Sequence, residues 1–221
     1  MAKVLDPQTA WMEAGDPDDA VRSRYTGYPL SNGEMVITIL SWDSSSVGHQ
    51  LITFEWRDNH ASGPIRMHKL FHLFPEDMPE GFGGWMGITA STRTGKIFRG
   101  RPDEMIDKSE GEAVSAQSQD HRITTGKSKV FYRSWAVDFD SGYKAFEEAK
   151  TDWRKPPDFN FVGMRGGYSC ASWARKIAAV AGIESDSVMA EIGYPVPIWE
   201  IDKGAELRTE EEMWVSRKRK D

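Results

Sequence analysis

Short apolar stretches between turn-forming or polar residues predict four β-strands along the chain. The first is the run Met-Val-Ile-Thr-Ile-Leu at residues 35–40, which precedes a polar, serine-rich segment. Residues 49–56 and 65–74 form the second and third stretches, and residues 129–139 form the fourth. β-Branched and aromatic residues between such breaks are typical of strands.

Two further segments have the spacing of helices. Four residues between 141 and 153 recur at helical intervals: Tyr143, Phe146, Ala149 and Trp153. Either Asp140 or Ser141 is expected to cap this helix. A second helix is predicted from about Cys170 to Ala181, because Gly182 follows where a glycine often ends a helix.

The order of these elements predicts an α+β fold in which an antiparallel sheet packs against helices. The second helix should pack the face that carries Trp173 and Ile177 on this sheet. Residues 1–31 contain three prolines and many acidic residues, and they are predicted to be a loosely ordered lead-in. Residues 32–205 are predicted to form one domain, followed by a charged tail at residues 206–221.

Two long segments between the strands have no clear periodicity. Residues 75–95 are rich in Gly, Pro and Trp, and they predict a long loop. Residues 100–122 are highly polar, and they predict a loop or a short helix.

Composition and charge narrow the classes of function. The 221 residues include 28 Lys or Arg and 34 Asp or Glu, which gives a net charge of −6. The scattered basic residues disfavour a nucleic-acid partner, because phosphate binding needs a basic face. No stretch approaches the roughly 20 apolar residues that span a bilayer, so we expect no membrane insertion. Residues 1–18 are polar and acidic, so we expect synthesis in the cytoplasm without a signal peptide.

The single cysteine, Cys170, is the one candidate for a thiol nucleophile, and it excludes an intramolecular disulfide or a multi-cysteine zinc site. It follows the sequence Gly166-Gly-Tyr-Ser169 and opens the second predicted helix. Backbone N–H groups and the partial positive charge of a helix N-terminus favour a thiolate and can stabilise an oxyanion. The alternative is a buried cysteine that acts as a small hydrophobic residue.

Five histidines are candidates for the base that such a thiol needs: His49, His60, His68, His72 and His121. His49 opens a predicted strand, and a side chain at a strand end can project into a cleft. His60 in a predicted turn and His121 in a polar loop fit ordinary surface residues. The alternative for each histidine is a surface or hydrogen-bonded core residue.

The order of these segments resembles the NlpC/P60-type cysteine peptidases of the papain-like superfamily. Gly33-Glu-Met-Val-Ile37, followed by Gly48-His-Gln-Leu-Ile52, is similar to the Gly-Asp strand and Gly-His strand of that family. In standard members the cysteine helix comes first. Here Cys170-Ala-Ser-Trp-Ala174 comes last, as in the circularly permuted branch, which also includes lecithin:retinol acyltransferase-like proteins.

The resemblance covers residues 33–75 and 129–183, under half of the chain. Many permuted members carry Asn immediately before the cysteine, where this chain has Ser169. The backbone N–H of Cys170, which could stabilise an oxyanion, is retained despite this departure.

The resemblance implies Cys170 as the nucleophile and His49 as its base, with Cys170 Sγ and His49 within about 3 to 5 Å. A third residue should orient His49 through its second ring nitrogen. Folding the predicted hairpin brings His49 opposite residues 68–72. His68 and His72 share a face there by the two-residue period, so either is a candidate for this role.

The implied activity is hydrolysis of amide bonds without a cofactor or a metal, and the expected substrate is the stem peptide of bacterial peptidoglycan. Because no signal peptide is recognised, we expect an antibacterial effector that is secreted or delivered to a target-cell periplasm, for example by type VI secretion. A cognate immunity protein would then be a partner. One alternative is a secreted effector that uses the same chemistry to cleave, deamidate or acyl-modify a host protein or lipid. Another is a papain-like fold that serves as a binding module without catalysis.

Overall fold

The protein has an α+β fold, and the computed structural model describes residues 2–5, 21–23, 25–43, 49–77, 91–99, 129–161, 166–184 and 206–209. The elements in chain order are the strands β1 (Lys3–Leu5), β2 (Glu34–Asp43), β3 (His49–His60), β4 (Gly63–Pro75), β5 (Gly95–Arg99) and β6 (Lys129–Asp138), the helices α1 (Phe139–Arg154) and α2 (Cys170–Val180), and the strand β7 (Glu206–Thr209). The predicted strands and helices are confirmed. The polar segment at residues 100–122 lies outside the described residues.

The seven strands form one sheet in which every neighbouring pair is antiparallel. The strand order is β1-β6-β2-β3-β4-β5, and β7 pairs with β6. β1 and β7 lie along the same edge of β6, one opposite residues 134–136 and the other opposite residues 129–132. The antiparallel sheet with helices beside it agrees with the sequence-based prediction of fold class.

The sheet takes strands from both segments that flank the predicted domain. β1 lies within residues 1–31, and β7 lies within residues 206–221. Ser23 and Tyr25 in the first of these segments are also buried. The sequence boundaries therefore do not separate a loose lead-in and a tail from the folded sheet. Strands of three and four residues are too short to show the two-residue period by which strands are recognised.

Side chains alternate between the two faces of the sheet, and both faces are buried. The helix face packs on α1 and α2, and its residues include Met35, Ile37, Ile52, Phe54, Phe71, Leu73 and Trp135. The second face carries the intervening residues, which include Val36, Leu40, Leu51, Leu70 and Phe74 and the polar residues Thr38, Thr53, Glu55, His72 and Ser134. A helix-face core that is almost wholly apolar thus contrasts with a partly polar second face.

Helix α1 begins two or three residues earlier than the expected caps would place it. Asp138 is the N-cap, and its side chain accepts a hydrogen bond from the backbone N–H of Ser141 at 2.9 Å. Asp140 and Ser141 are instead in the first turn. Gly142 lets the helix approach β2 closely, since a Cβ at this position would lie 2.7 Å from the Cβ of Met35. Phe146 then packs against Phe54 with a ring-centroid distance of 5.6 Å.

Helix α2 packs beside α1 on the helix face. Trp173 and Ile177 are fully buried there, which confirms the face predicted from the sequence. The indole N–H of Trp173 donates to Asp152 of α1 at 2.8 Å, and Lys176 donates to the same carboxylate at 2.8 Å. Gly182 has φ of 73° directly after the C-cap, so it ends the helix as predicted.

The helix-face core gives a first testable prediction. Phe54 is fully buried between Phe71 and Phe146, so Phe54→Ala should lower the free energy of unfolding by about 3–5 kcal/mol. Ile65→Ala is the control, because Ile65 is 38% exposed on β4 and its truncation should cost less than about 1 kcal/mol. Urea denaturation of both variants measures the difference, and equal losses would contradict this assignment of the core.

Candidate active site

Cys170 is the first residue of α2 and is buried. Ser169 is the N-cap of the helix, and its hydroxyl accepts a hydrogen bond from the N–H of Ser172 at 3.1 Å. The hydroxyl of Ser172 in turn accepts from the N–H of Ser169 at 2.9 Å, which completes a capping box. Ser169, where the family resemblance would place Asn, therefore acts by fixing the start of the helix that carries the thiol.

The start of α2 is tied to the sheet by a short ladder of backbone hydrogen bonds. Phe159 and Arg93 exchange two such bonds, at 2.8 Å and 2.7 Å. The N–H of Tyr168 donates to Asp158 at 2.9 Å. Arg93 leads directly into β5, whose first residue pairs with the last residue of β4. The thiol therefore lies toward the end of the sheet at which β3 begins.

His49 is the first residue of β3, and its side chain is held by two neighbours on β4. Its Nε2 atom lies 2.8 Å from Nδ1 of His72, a hydrogen-bond distance. Its ring stacks on Phe74, with ring centroids 4.2 Å apart and an interplanar angle of 9°. Both histidines are buried. Of the two residues expected to orient His49, His72 is the one that contacts it.

Burial keeps this histidine pair neutral. Desolvation lowers the pKa of His49 well below 6.5, and the neighbouring His72 lowers it further. Desolvation also lowers the pKa of His72 to about 3. One proton lies between the rings, so either His49 Nε2–H donates to His72 Nδ1 or the reverse. In the first tautomer, Nδ1 of His49 carries the lone pair that a general base needs.

His68 has different partners from those expected. The tip of the β3–β4 hairpin is at residues 61–62, so His68 pairs with Glu55, and continuation of this register brings His49 opposite Phe74. Nε2 of His68 lies 2.9 Å from the hydroxyl of Tyr25. The sequence-based register was a few residues off, because several polar residues around the turn allow more than one tip. His68 thus lies closer to the tip of the hairpin than His49 and His72 do.

Glu55, also on the second face, was not singled out as functional in the sequence. It is fully buried, and the hydroxyl of Ser23 donates to its carboxylate at 2.5 Å. Arg66 lies 3.8 Å from the other carboxylate oxygen. The sequence did contain a signal for this cluster, namely a glutamate in the buried half of a strand. An ionisable residue in such a place requires partners.

Alternation along β3 places the histidine pair and α2 on different faces of the sheet. Ile52 is on the helix face, so His49, three residues earlier, belongs with His72 and Phe74 on the second face. Cys170 begins a helix that packs on the helix face. The two groups share one end of the sheet, and the expected distance of 3 to 5 Å between them stays a prediction that requires an approach around that end.

The other candidates are placed as follows. His60 is exposed at the tip of the hairpin, with Asp58 at 3.8 Å. His121 lies outside the described residues. Within the described ranges, no cluster of three or more His, Cys, Asp or Glu side chains is arranged to hold a metal ion. In the same part of the chain, no helix is long and apolar enough to cross a membrane.

Comparison of the chain with protein-family models, with curated proteins and with solved structures finds no match.

The neutral histidine pair predicts how stability depends on pH. Because the pKa of His72 is about 3 in the folded protein and about 6.5 in an unfolded chain, the unfolded state binds more protons between these values. Stability should therefore be complete above about pH 6.5 and fall as the pH decreases towards 3. His72→Phe should flatten this fall, measured as the free energy of urea unfolding between pH 7 and pH 5.

His60→Gln is the matched control, because it removes an imidazole that lies in water at the hairpin tip. It should keep the pH slope of the wild type. Equal slopes in the wild type and His72→Phe would contradict a buried, neutral His72.

Proposed function

We propose that the protein is a cysteine hydrolase of amide bonds with a permuted, NlpC/P60-like form of the papain-like fold. Cys170 is the nucleophile, His49 the general base, and His72 the residue that orients His49. The observation that carries the proposal is the 2.8 Å contact between His49 Nε2 and His72 Nδ1. This contact uses one ring nitrogen of His49 to hold the ring in a fixed orientation, as a catalytic base requires.

The proposed reaction proceeds in two steps. Nδ1 of His49 takes the thiol proton as Sγ of Cys170 attacks the amide carbonyl, and the backbone N–H groups at the start of α2 stabilise the oxyanion. The imidazolium then protonates the leaving amine, which leaves an acyl-enzyme. Water, deprotonated by His49, attacks the thioester and releases the acid and the thiol.

The tautomer required by this mechanism has a cost. When His49 donates its Nε2–H to His72, the proton on His72 moves to Nε2, which is buried and has no hydrogen-bond partner among the described residues. An unpaired buried donor costs about 1–3 kcal/mol. The reverse tautomer leaves the same nitrogen as an unpaired acceptor, so His72 Nε2 lacks a partner among the described residues in either protonation state.

The position of the two groups sets a second requirement. Cys170 and His49 lie toward the same end of the sheet, and His49 is the first residue of its strand. A side chain at a strand end has no neighbour on the preceding side within the strand, so a group beside that end of the sheet can approach it while it keeps its contacts with His72 and Phe74. We infer that the reactive contact forms around this end of the sheet.

The substrate that we propose is the stem peptide of bacterial peptidoglycan, with the protein acting as a secreted antibacterial effector in a target-cell periplasm. The family resemblance of residues 33–75 and 129–183 supports this substrate class, because NlpC/P60 enzymes mostly cut amide bonds of wall peptides. A cognate immunity protein is the partner that this role implies.

Digestion of purified peptidoglycan tests the activity directly. The wild type should release peptides that mass spectrometry detects, and Cys170→Ala should release none. His49→Ala should lower kcat by about 10²- to 10⁴-fold, the usual contribution of a general base, and His72→Ala should lower it less. His60→Ala, at the exposed hairpin tip, should retain full activity.

Intact peptidoglycan after incubation with the wild type would reject the wall substrate. Release of products from a host protein or lipid instead, with the same dependence on Cys170 and His49, would favour the alternative effector. Equal activity of the wild type and Cys170→Ala on every substrate would reject the thiol mechanism.

Alkylation of the thiol tests the proposed Cys170–His49 pair without knowledge of the substrate. Since Cys170 is the single cysteine, labelling by iodoacetamide reports on it alone. If His49 accepts the thiol proton, His49→Ala should slow labelling at pH 7 by at least about tenfold, whereas His60→Ala should leave the rate unchanged. A slow rate in all three proteins would identify Cys170 as an inert core residue.

A further inference from the structure

We propose that Asn160 is a positioning residue. It fixes the position of Cys170 relative to Phe74 and His72 on β4, and therefore relative to His49. This inference rests on the proposed function, because it assigns a role in bringing the thiol to its base. Asn160 is fully buried although it lies between α1 and α2, outside the regular elements. A buried amide in such a connection is held by its hydrogen bonds.

Asn160 forms hydrogen bonds with two segments that meet at this point of the fold. Its backbone N–H donates to the carbonyl of Tyr168, two residues before Cys170, at 3.0 Å. Its side-chain Nδ2 donates to the carbonyl of Ser91 at 3.0 Å. One residue therefore connects the approach to α2 with the segment that leads into β5.

The segment that contains Ser91 continues to the histidine pair through backbone contacts. The N–H of Glu76 donates to Thr94 at 2.8 Å, and Pro75 pairs with Gly95. Phe74, the preceding residue of β4, stacks on His49 at 4.2 Å. A shift of Asn160 relative to Ser91 would therefore move the start of α2 relative to the ring of His49, which is proposed to take the thiol proton of Cys170.

Gly167 shows how closely the two segments approach. A Cβ at this position would lie 2.9 Å from the Cβ of Asn160 and 3.1 Å from the Cγ2 of Thr92, which follows Ser91. Both contacts are shorter than side chains tolerate without displacement, so a methyl group here would push the segments apart. Gly167→Ala and Asn160→Asp should therefore both displace the start of α2, the first by crowding Asn160 and the second by removing its hydrogen bond to Ser91.

The experiment is a double-mutant cycle read by iodoacetamide labelling of Cys170 at pH 7. In the wild type, His49→Ala should slow labelling by at least about tenfold. In the Asn160→Asp background, where a carboxylate oxygen faces the Ser91 carbonyl, the same His49→Ala change should slow it less than about twofold. Gly167→Ala provides a second background if Asn160→Asp does not fold, and circular dichroism checks folding.

Thr38→Val is the matched control for a lost buried hydrogen bond, because the hydroxyl of Thr38 contacts that of Ser134 at 2.8 Å on the second face. In this background, His49→Ala should retain its effect of about tenfold. A retained effect in Asn160→Asp and Gly167→Ala would overturn the positioning role while leaving the Cys170–His49 pair intact. No effect of His49→Ala in the wild type would overturn both, and loss of the effect in Thr38→Val as well would reduce Asn160 to a general structural role.

Discussion

The burial of both faces of β3 is the constraint on which the rest of the structure depends. From His49 to Glu55, every side chain of this strand is buried, alternately towards the helices and towards the second face. A shift of its pairing by one residue would exchange the two sets and would place Glu55 and His49 against the helices. The register of β3 therefore fixes the packing of α1 and α2 and the position of the histidine pair together.

Polar residues of the second face make the pairing of the strands specific. Thr38 and Ser134 pair across β2 and β6, and their hydroxyls lie 2.8 Å apart. Ser23 satisfies the carboxylate of Glu55, which faces no water. Apolar side chains can exchange partners at modest cost, whereas a buried carboxylate or hydroxyl that loses its partner costs about 1–3 kcal/mol or more. The apolar helix face supplies most of the burial, and the second face discriminates against wrong pairings.

Local patterns in the sequence predicted the long elements, since each of these elements has ten residues or more and carries a recognisable signal over most of its length. The α+β arrangement and the buried face of α2 followed from the same patterns. The register of the β3–β4 hairpin did not follow, because the residues near its tip fit several turns equally well. For that reason the sequence left His68 and His72 as equal candidates, and the 2.8 Å contact between His49 and His72 separates them.

The relation of the thiol to its proposed base was beyond the sequence for a different reason. Alternation assigns a residue to one of two faces, but the face that receives a helix is decided by the packing of Ile52, Phe54 and Phe71 with residues far along the chain. A position at a strand end is visible in the sequence, whereas the face on which Cys170 arrives is not. The candidate residues could therefore be found from local patterns, and their mutual geometry could not.

Burial of the histidine pair also shapes the chemistry that Cys170 would need. A base with a pKa held well below 6.5 has little affinity for the thiol proton, so His49 alone provides a weak driving force for thiolate formation. The start of α2 also favours thiolate formation, because its dipole stabilises negative charge on Cys170. As the thiolate forms, its charge also raises the affinity of a nearby imidazole for the proton. Proton transfer in the proposed site is therefore favourable only when the two groups are close, which makes catalysis depend on how α2 is held against the end of the sheet.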